Sequence, residues 1–106
     1  MPKLSDTAFV VLLTLGQTPG RTLHGYGLLQ RAREHTGIAL RVGPLYTQLS
    51  RLVEWGLIEE VDGPAQADIR RRYYRLTPAG LEACSDQVRQ QALLSWRILQ
   101  WQEAHA

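Results

Sequence analysis

The apolar residues between Ala8 and Leu15 follow one another almost without interruption. Either Ser5 or Asp6 would cap a helix that begins here, and Gly16 would end it. A helix that is apolar on nearly every side has to be covered on more than one side. We therefore expect this first helix to lie at the centre of the core.

Two further helices are predicted where apolar residues recur every three or four positions. The second runs from about residue 26 to 35 and ends at Gly37, with Tyr26, Leu29, Ala32 and Arg33 near one face. A short extended piece over residues 38–42 precedes the third, which starts at Pro44 and runs to about Trp55. Its core-facing side chains would be Leu45, Leu49, Leu52 and Val53. Its outward side chains would be Thr47, Ser50, Arg51 and Glu54, with Tyr46 on the flank.

The pattern then changes to the alternation that is typical of strands. One strand is predicted over residues 57–61 and a second ends at Leu76, joined by a turn-rich segment that contains Gly63-Pro64. Alternation places Tyr74 and Leu76 of the second strand toward the core. The outward residues on this strand are Arg71, Tyr73 and Arg75. The result is a two-strand hairpin with a cationic outer side.

A last helix is predicted to start at Thr77-Pro78 and to run to about Glu103, which is about 26 residues or ~39 Å. A domain of this size has a radius of gyration of only ~13 Å, so the helix should extend beyond its own domain. A near-heptad row of apolar residues runs along it: Leu81, Cys84, Val88, Ala92, Trp96 and Leu99. No later segment is present to cover its apolar far end, and we predict that a second copy of the chain does so, giving a homodimer.

Charge is distributed unevenly along the 106 residues. The net charge is only +2, but residues 1–77 carry ten cationic against seven acidic side chains, whereas the remainder has a net charge of −1. Eleven of the twelve cationic side chains are arginine, which binds phosphate and guanine better than lysine does. A mainly helical domain with a basic hairpin therefore favours contact with duplex DNA.

Enzymatic functions find little support in the residues. Cys84 could be called a nucleophile with His24 or His35 as its base, but the spacing of these residues along the sequence does not support such a pair. No glycine-rich phosphate loop, paired catalytic acids or cysteine-based zinc site is present, so we expect neither an enzyme nor a cofactor or metal. A single cysteine and the lack of an export signal or membrane span predict a cytoplasmic protein.

An ordered set of short motifs runs through residues 5–83. They are Leu23-His24-Gly25-Tyr26, Gly43-Pro44-Leu45-Tyr46 with Leu49 and Arg51-Leu52, Gly56-Leu57-Ile58, and Arg72-Tyr73-Tyr74-Arg75-Leu76-Thr77-Pro78-Ala79-Gly80. With these motifs in this order, the chain resembles the PadR-like family of winged helix-turn-helix transcriptional regulators, and its single last helix resembles that of the small members. The family pattern usually has Gly-Thr-Leu-Tyr-Pro at residues 43–47. Here Pro44 and Thr47 stand in exchanged positions, which moves a hydroxyl group along the third helix.

The resemblance implies a DNA-binding domain over residues 1–77 and a dimerisation helix over residues 78–106. In small members the last helix crosses the dimer and packs on the partner's first helix. The residues expected at that interface are Phe9, Leu13, Val88, Ala92, Trp96 and Leu99. The function it implies is a dimeric repressor that binds a pseudo-palindromic operator and is released by an effector.

Candidate DNA contacts come from the third helix and the hairpin. They are Arg41, Pro44, Tyr46, Thr47, Ser50, Arg51, Arg70, Arg71 and Arg72. The helix residues would enter the major groove, with Arg51 able to bind guanine, while the three adjacent arginines would hold the backbone or minor groove. A solvated charged turn is the alternative for those arginines, and Arg75 could instead pair with an acid. His24 and Tyr26 are expected to fix the second helix rather than to bind a ligand.

Trp96 and Trp101 have two interpretations. They are either side chains of the dimer core or the walls of a slot for a planar aromatic effector. Two other functions also remain open: a winged helix that binds an acidic protein partner, and a drug-sensing dimer with weak affinity for DNA.

Overall fold

The computed structural model describes residues 3–64 and 71–105. Its helices are α1 (Asp6–Gly16), α2 (Gly25–Thr36), α3 (Val42–Glu54) and α4 (Pro78–His105), with a 3-10 turn at Pro19–Arg21. Its strands are β1 (Thr22–His24), β2 (Ile58–Val61) and β3 (Tyr73–Leu76). The fold is mainly helical with a β wing and a long last helix, as the sequence predicts.

Helix α1 is the centre of the core. The hydroxyl of Ser5 accepts a hydrogen bond from the backbone N–H of Ala8 at 3.1 Å, which identifies Ser5 as the cap. Helices α2, α3 and α4 and strand β3 all pack against α1. Because α1 is contacted from several directions, Leu12 and Leu15 are fully buried, and the prediction of a central first helix is confirmed.

Helix α2 begins one residue earlier than predicted. Its buried side chains include Leu28 and Ala32, whereas Tyr26 is 58% exposed. Of the four residues predicted near one face, Ala32 is buried and Leu29 is half-buried against the core, whereas Tyr26 and Arg33 are exposed. Gly37 ends the helix with a left-handed φ of 72°, a conformation that favours glycine.

Helix α3 starts at Val42, two residues before the predicted start at Pro44. The backbone N–H of Leu45 makes the first hydrogen bond, to the carbonyl of Arg41 at 2.9 Å. A proline within the first turn removes no hydrogen bond, since the first four N–H groups of a helix have no partner inside it. Leu45, Leu49 and Leu52 are buried as predicted, but Val53 is exposed and lies at the edge of the apolar stripe.

The wing is the antiparallel pair β2–β3, in which Ile58 lies opposite Leu76 and Val61 opposite Tyr73. The sequence predicts these two strands, and the inward direction of Tyr74 and Leu76 is confirmed by their burial. Strand β1 was not predicted. It pairs with the other side of β3 and gives a three-stranded sheet in the order β1-β3-β2.

The start of α4 is fixed by Thr77. Its hydroxyl accepts from the backbone N–H of Gly80 at 3.0 Å and donates to the carbonyl of Gly56 at 2.7 Å. Gly80 lies so close to the wing that a Cβ atom there would be 1.9 Å from the carbonyl oxygen of Leu57. The first turns of α4 therefore belong to the core, where Ala83 and Cys84 are buried.

The second half of α4 leaves the core. Every side chain described from Arg89 onward is exposed, and the helix continues to His105, two residues past the predicted end. The molecule measures 58 × 27 × 25 Å as a result. Among the helices described, none has the length and apolar character needed to cross a membrane.

Candidate DNA-binding surface

The outward side of α3 carries four of the predicted DNA contacts. Tyr46, Thr47, Ser50 and Arg51 are all exposed, as their helical spacing predicts. The Thr47 hydroxyl donates to the carbonyl of Gly43 at 3.2 Å, which leaves its oxygen lone pairs free to accept another hydrogen bond. This side of α3 presents one guanidinium and three hydroxyl groups, which lie on two successive turns of the helix.

The beginning of α3 lies beside α1. Arg41 is the residue before the first turn, and no side chain caps the free N–H groups there. Such a helix end is suited to an anion, because the N–H groups point outward at the positive end of the helix dipole. Arg41 and Pro44 also line a hollow of about 590 Å³ together with Phe9 and Leu13 of α1.

The cationic side chains of the wing lie just before β3 and within it. Arg71 and Arg72 are exposed, and the Nε of Arg72 is 3.6 Å from a carboxylate oxygen of Glu60. Arg75 forms an ion pair with Glu59, so the alternative that it pairs with an acid is confirmed. Arg70, the third predicted wing contact, lies outside the residues that the structure describes.

One hollow brings α3 and the wing together. It has a volume of about 370 Å³, and it is lined by His24, Gly25, Tyr26, Tyr46, Arg71 and Arg72. A Cβ atom on Gly25 would lie 2.6 Å from the Tyr46 hydroxyl, so the absence of a side chain at Gly25 allows α3 to lie close to the start of α2. Three of the nine predicted DNA contacts therefore border a single concave surface.

His24 lines this hollow, and only part of its role was predicted from the sequence. Its Nε2 atom is 3.1 Å from Nη1 of Arg71, and its ring centroid is 5.3 Å from that of Tyr73. Burial, and then the nearby charge of Arg71, lower the pKa of His24 below its usual value. The expected packing role against α2 is present too, since the rings of His24 and Tyr26 stack at 6.5 Å. The contact with the wing was missed because β1 was not predicted.

A family model for the transcriptional regulator PadR-like family matches residues 11–86, which is most of the chain. The chain belongs to the PadR-like family. The matched range includes α3, the wing and the first turns of α4, so it covers the surface described above.

Individual relatives agree with this assignment. A PadR family transcription regulator from Clostridium difficile R20291 superposes with a TM-score of 0.75 at 21% identity, over 92% of this chain and 98% of its own. BpsR of Bordetella bronchiseptica, whose DNA binding is regulated by 6-hydroxynicotinic acid, superposes with a TM-score of 0.64 at 23% identity, over 92% of this chain and 67% of its own. At these identities the two structures establish a shared fold.

A curated relative is an uncharacterized 37.1 kDa protein in transposon TN4556 of Streptomyces fradiae. It is 32% identical over 98 residues, or 92% of the PadR-like chain. The chain spans only 26% of the length of this relative.

The family is one of transcriptional regulators, and the fold of this chain is that of winged-helix proteins. The family model and the structural neighbours are regulators rather than enzymes. Cys84 fits that description: it is buried against the core, and burial raises the pKa of its thiol, the opposite of what a nucleophile needs. Within residues 3–64 and 71–105, no group of histidine, cysteine and acidic side chains is arranged to hold a metal ion.

The two distal tryptophans of this PadR-like regulator lie on different sides of α4. Five residues separate Trp96 from Trp101, which is about 140° around a helix of 3.6 residues per turn. Trp96 is 59% exposed, and the ring of Trp101 stacks on His105 with centroids 4.4 Å apart. A slot walled by two indoles therefore needs side chains from more than one helix.

Proposed function

We propose that two copies of this chain form a repressor that binds a pseudo-palindromic operator. The observation that carries the proposal is the pairing of Tyr46 on α3 with Arg71 and Arg72 of the wing around one open hollow. A helix flanked by a cationic wing places base-reading and backbone-holding groups on the same side of a domain. Occupation of promoter DNA by such a dimer would block transcription.

In this proposal the outward side of α3 enters the major groove. Arg51 would donate two hydrogen bonds to guanine, and Tyr46, Thr47 and Ser50 would bind bases or nearby phosphates. Arg41 and the free N–H groups at the start of α3, next to Pro44, would hold a phosphate. Arg71 and Arg72, with Arg70 beside them in the sequence, would hold the backbone that flanks each half-site.

The proposed dimer uses the exposed half of α4. Val88, Ala92, Trp96 and Leu99 form one apolar row on that helix, and Leu94, Ile98 and Trp101 lie on the opposite side, all of them exposed. A helix with apolar residues on two sides needs more than one covering element. We propose that the partner's α4 covers one side and that the partner's α1 covers the other.

The receiving surface for the partner helix would be next to α1. Phe9 and Leu13 are half-buried and border the hollow of about 590 Å³, and Leu13 also borders a second hollow of about 350 Å³ against the first turns of α4. This arrangement divides the chain into a DNA-binding part, residues 1–77, and a dimerisation helix, residues 78–106. Each half-site would then be read by one copy, with the two recognition helices about 34 to 36 Å apart.

The test is a fluorescence-anisotropy titration of the wild-type protein with DNA from upstream of its own gene, at several salt concentrations. A dimer that makes 6 to 10 phosphate contacts should lose about 10³- to 10⁵-fold in affinity between 50 and 200 mM salt. Arg71→Ala and Arg72→Ala should weaken binding to every DNA sequence, whereas Arg89→Ala on α4 should not. An affinity that is independent of salt would favour the alternative, a winged helix that binds a protein partner.

We also propose an effector site at the dimer interface, with Trp96 and Trp101 as its walls. The exposure of both indoles favours this proposal, and regulation of the neighbour BpsR by 6-hydroxynicotinic acid gives a precedent for ligand control within the fold. Planar aromatic compounds should quench tryptophan fluorescence in the wild-type protein but not in Trp96→Ala. Equal quenching in the variant would exclude the slot, since Trp55 and Trp101 remain to report non-specific quenching.

A further inference from the structure

We propose that His24 is a positioning residue for DNA binding: its uncharged ring holds the guanidinium of Arg71 at the edge of the hollow, ready for a backbone phosphate. This inference rests on the proposed DNA-binding function. His24 itself need not touch DNA, and the sequence interpretation gave it only a packing role against α2.

The position of His24 in the fold supports this role. It is the last residue of β1 and also the residue before the first turn of α2, so it connects the three-stranded sheet to helix α2. In the register of the sheet His24 lies opposite Tyr73. Arg71 precedes Tyr73 by two residues and lies just before β3 begins. Its Nη1 atom is 3.1 Å from Nε2 of the His24 ring.

The hydrogen bond defines the charge state of His24. A guanidinium has five N–H donors and no acceptor, so Nε2 of His24 has to accept with a lone pair and the ring proton resides on Nδ1. A protonated ring would have donors on both nitrogens, and it would place a second positive charge beside Arg71. Protonation of His24 would therefore break the contact and repel the arginine.

The surroundings of His24 favour the uncharged ring. Among residues 3–64 and 71–105, the groups that face it are Arg71 and Tyr73 from the wing and Tyr26 from α2, with Arg72 and Tyr46 also on the wall of the hollow. None of these is a carboxylate, so none of them would stabilise an imidazolium. Burial and the charge of Arg71 lower the pKa of His24 accordingly, which keeps the ring able to accept at neutral pH.

Holding Arg71 in this way differs from the contact made by Arg72. Arg72 lies 3.6 Å from Glu60, a carboxylate that would compete with a phosphate for the same guanidinium. Within the described residues, the uncharged histidine acceptor uses one of the five N–H groups of the Arg71 guanidinium. An arginine whose side chain is already ordered loses less conformational entropy when it binds, so the His24 contact should increase affinity for any DNA sequence.

A double-mutant cycle tests the inference at pH 8. His24→Phe retains an aromatic ring but has no acceptor, and DNA affinity should fall by about five- to tenfold, the conformational cost of ordering one long side chain at the interface. In an Arg71→Ala background the same change should alter affinity by less than about twofold, because nothing remains to be positioned. An equal loss in both backgrounds, or no loss in either, would overturn the inference.

The pH profile supplies a second readout that a merely structural role would not change. His24→Gln keeps an acceptor but does not titrate. Between pH 8 and pH 5.5 the wild-type protein should lose affinity relative to His24→Gln, since protonation of the ring abolishes the contact. If affinity instead rises relative to His24→Gln, the protonated ring binds phosphate directly and the inference is wrong. His35→Gln, on the exposed end of α2, is the control for titration elsewhere and should behave as wild type.

The result also separates this inference from the function on which it depends. If the wild-type protein binds DNA with the expected salt dependence and the His24 variants match it at every pH, only the role of His24 is rejected. If no promoter DNA binds at any salt concentration, the proposed function fails first. Thermal unfolding of each variant would show whether a lost affinity reflects lost folding.

Discussion

Two regions of this chain hold similar apolar side chains in opposite environments. Around α1, Leu12 and Leu15 are completely buried, whereas on the far half of α4 Leu94 and Trp101 are about 60% exposed. Since burial of apolar surface is the main favourable contribution to folding, the first region supplies much more of the folding stability of one copy than the second half of α4 does. In the proposed dimer, the chain would divide its apolar residues between folding and association.

The largest expected effect comes from placing charge on the exposed half of α4. Trp96→Glu combined with Leu99→Glu should raise the dimer dissociation constant by at least about a thousandfold, because two apolar side chains per copy are lost from a buried interface. Analytical ultracentrifugation would measure the dissociation constant, and circular dichroism should show that the helices persist.

Gln100→Glu is the matched control for that experiment. It adds charge to the same helix, about 120° around the axis from Val88 and about 100° from Trp101, between the two apolar sides. Its dissociation constant should equal that of the wild type. If the Trp96 and Leu99 double variant remains as dimeric as Gln100→Glu, α4 is not the interface and the comparison of the two regions fails.

The next effect concerns the core region. Gly80→Ala should lower the free energy of unfolding by about 3 kcal/mol, because the new Cβ would lie 1.9 Å from the Leu57 carbonyl oxygen, and the backbone would have to move. Chemical denaturation would measure this loss. Gly43→Ala, within α3 where no atom lies within 4 Å of a new Cβ, should instead stabilise by up to ~1 kcal/mol. Equal effects of the two substitutions would contradict the close approach of α4 to the wing.

A smaller and more selective effect is expected on the DNA-binding surface. Arg51→Ala should remove about 1 to 3 kcal/mol of discrimination at one base pair of each half-site, because a guanine would lose its bidentate partner. Binding selection from a randomised operator would measure the preference. Arg72→Ala, in contrast, should lower affinity for all sequences without changing the preferred bases. If Arg72→Ala changed the preferred bases and Arg51→Ala did not, the wing rather than α3 would read the bases.

The smallest effect is expected from the ion pair between Glu59 and Arg75. Both side chains are about half exposed, and an exposed pair of this kind contributes no more than about 1 kcal/mol. Glu59→Gln should therefore leave the unfolding midpoint almost unchanged. A gain in DNA affinity in this variant would show that Arg75, once released, is also a wing contact.

The order of the helices and strands along the chain was largely predictable from local sequence patterns. The central helix α1, the wing strands and the start of α4 at Thr77-Pro78 each follow from caps, turns and periodicity, and they agree with the structure. That Arg75 pairs with an acid was one of the predicted alternatives, and the structure identifies that acid as Glu59 on the neighbouring strand.

Features that depend on three-dimensional contacts were missed. Strand β1 is only three residues long, too short for alternation to be visible, and it exists because β3 has a free edge. Val53 lies at the margin of an apolar stripe, where periodicity cannot decide burial. The hollow shared by His24, Tyr46 and Arg71 depends on the approach of α2, α3 and β3, so single-residue reasoning placed His24 against α2 alone.

The most direct test of the account is hydroxyl-radical footprinting of the wild-type protein on its operator. The account predicts two protected regions about one helical turn apart, one for each copy, with flanking protection where the wings hold the backbone. The Trp96→Glu and Leu99→Glu double variant should lose the paired pattern at the same protein concentration. A single protected region in the wild type, or paired protection that survives in the double variant, would contradict a dimeric reader joined through α4.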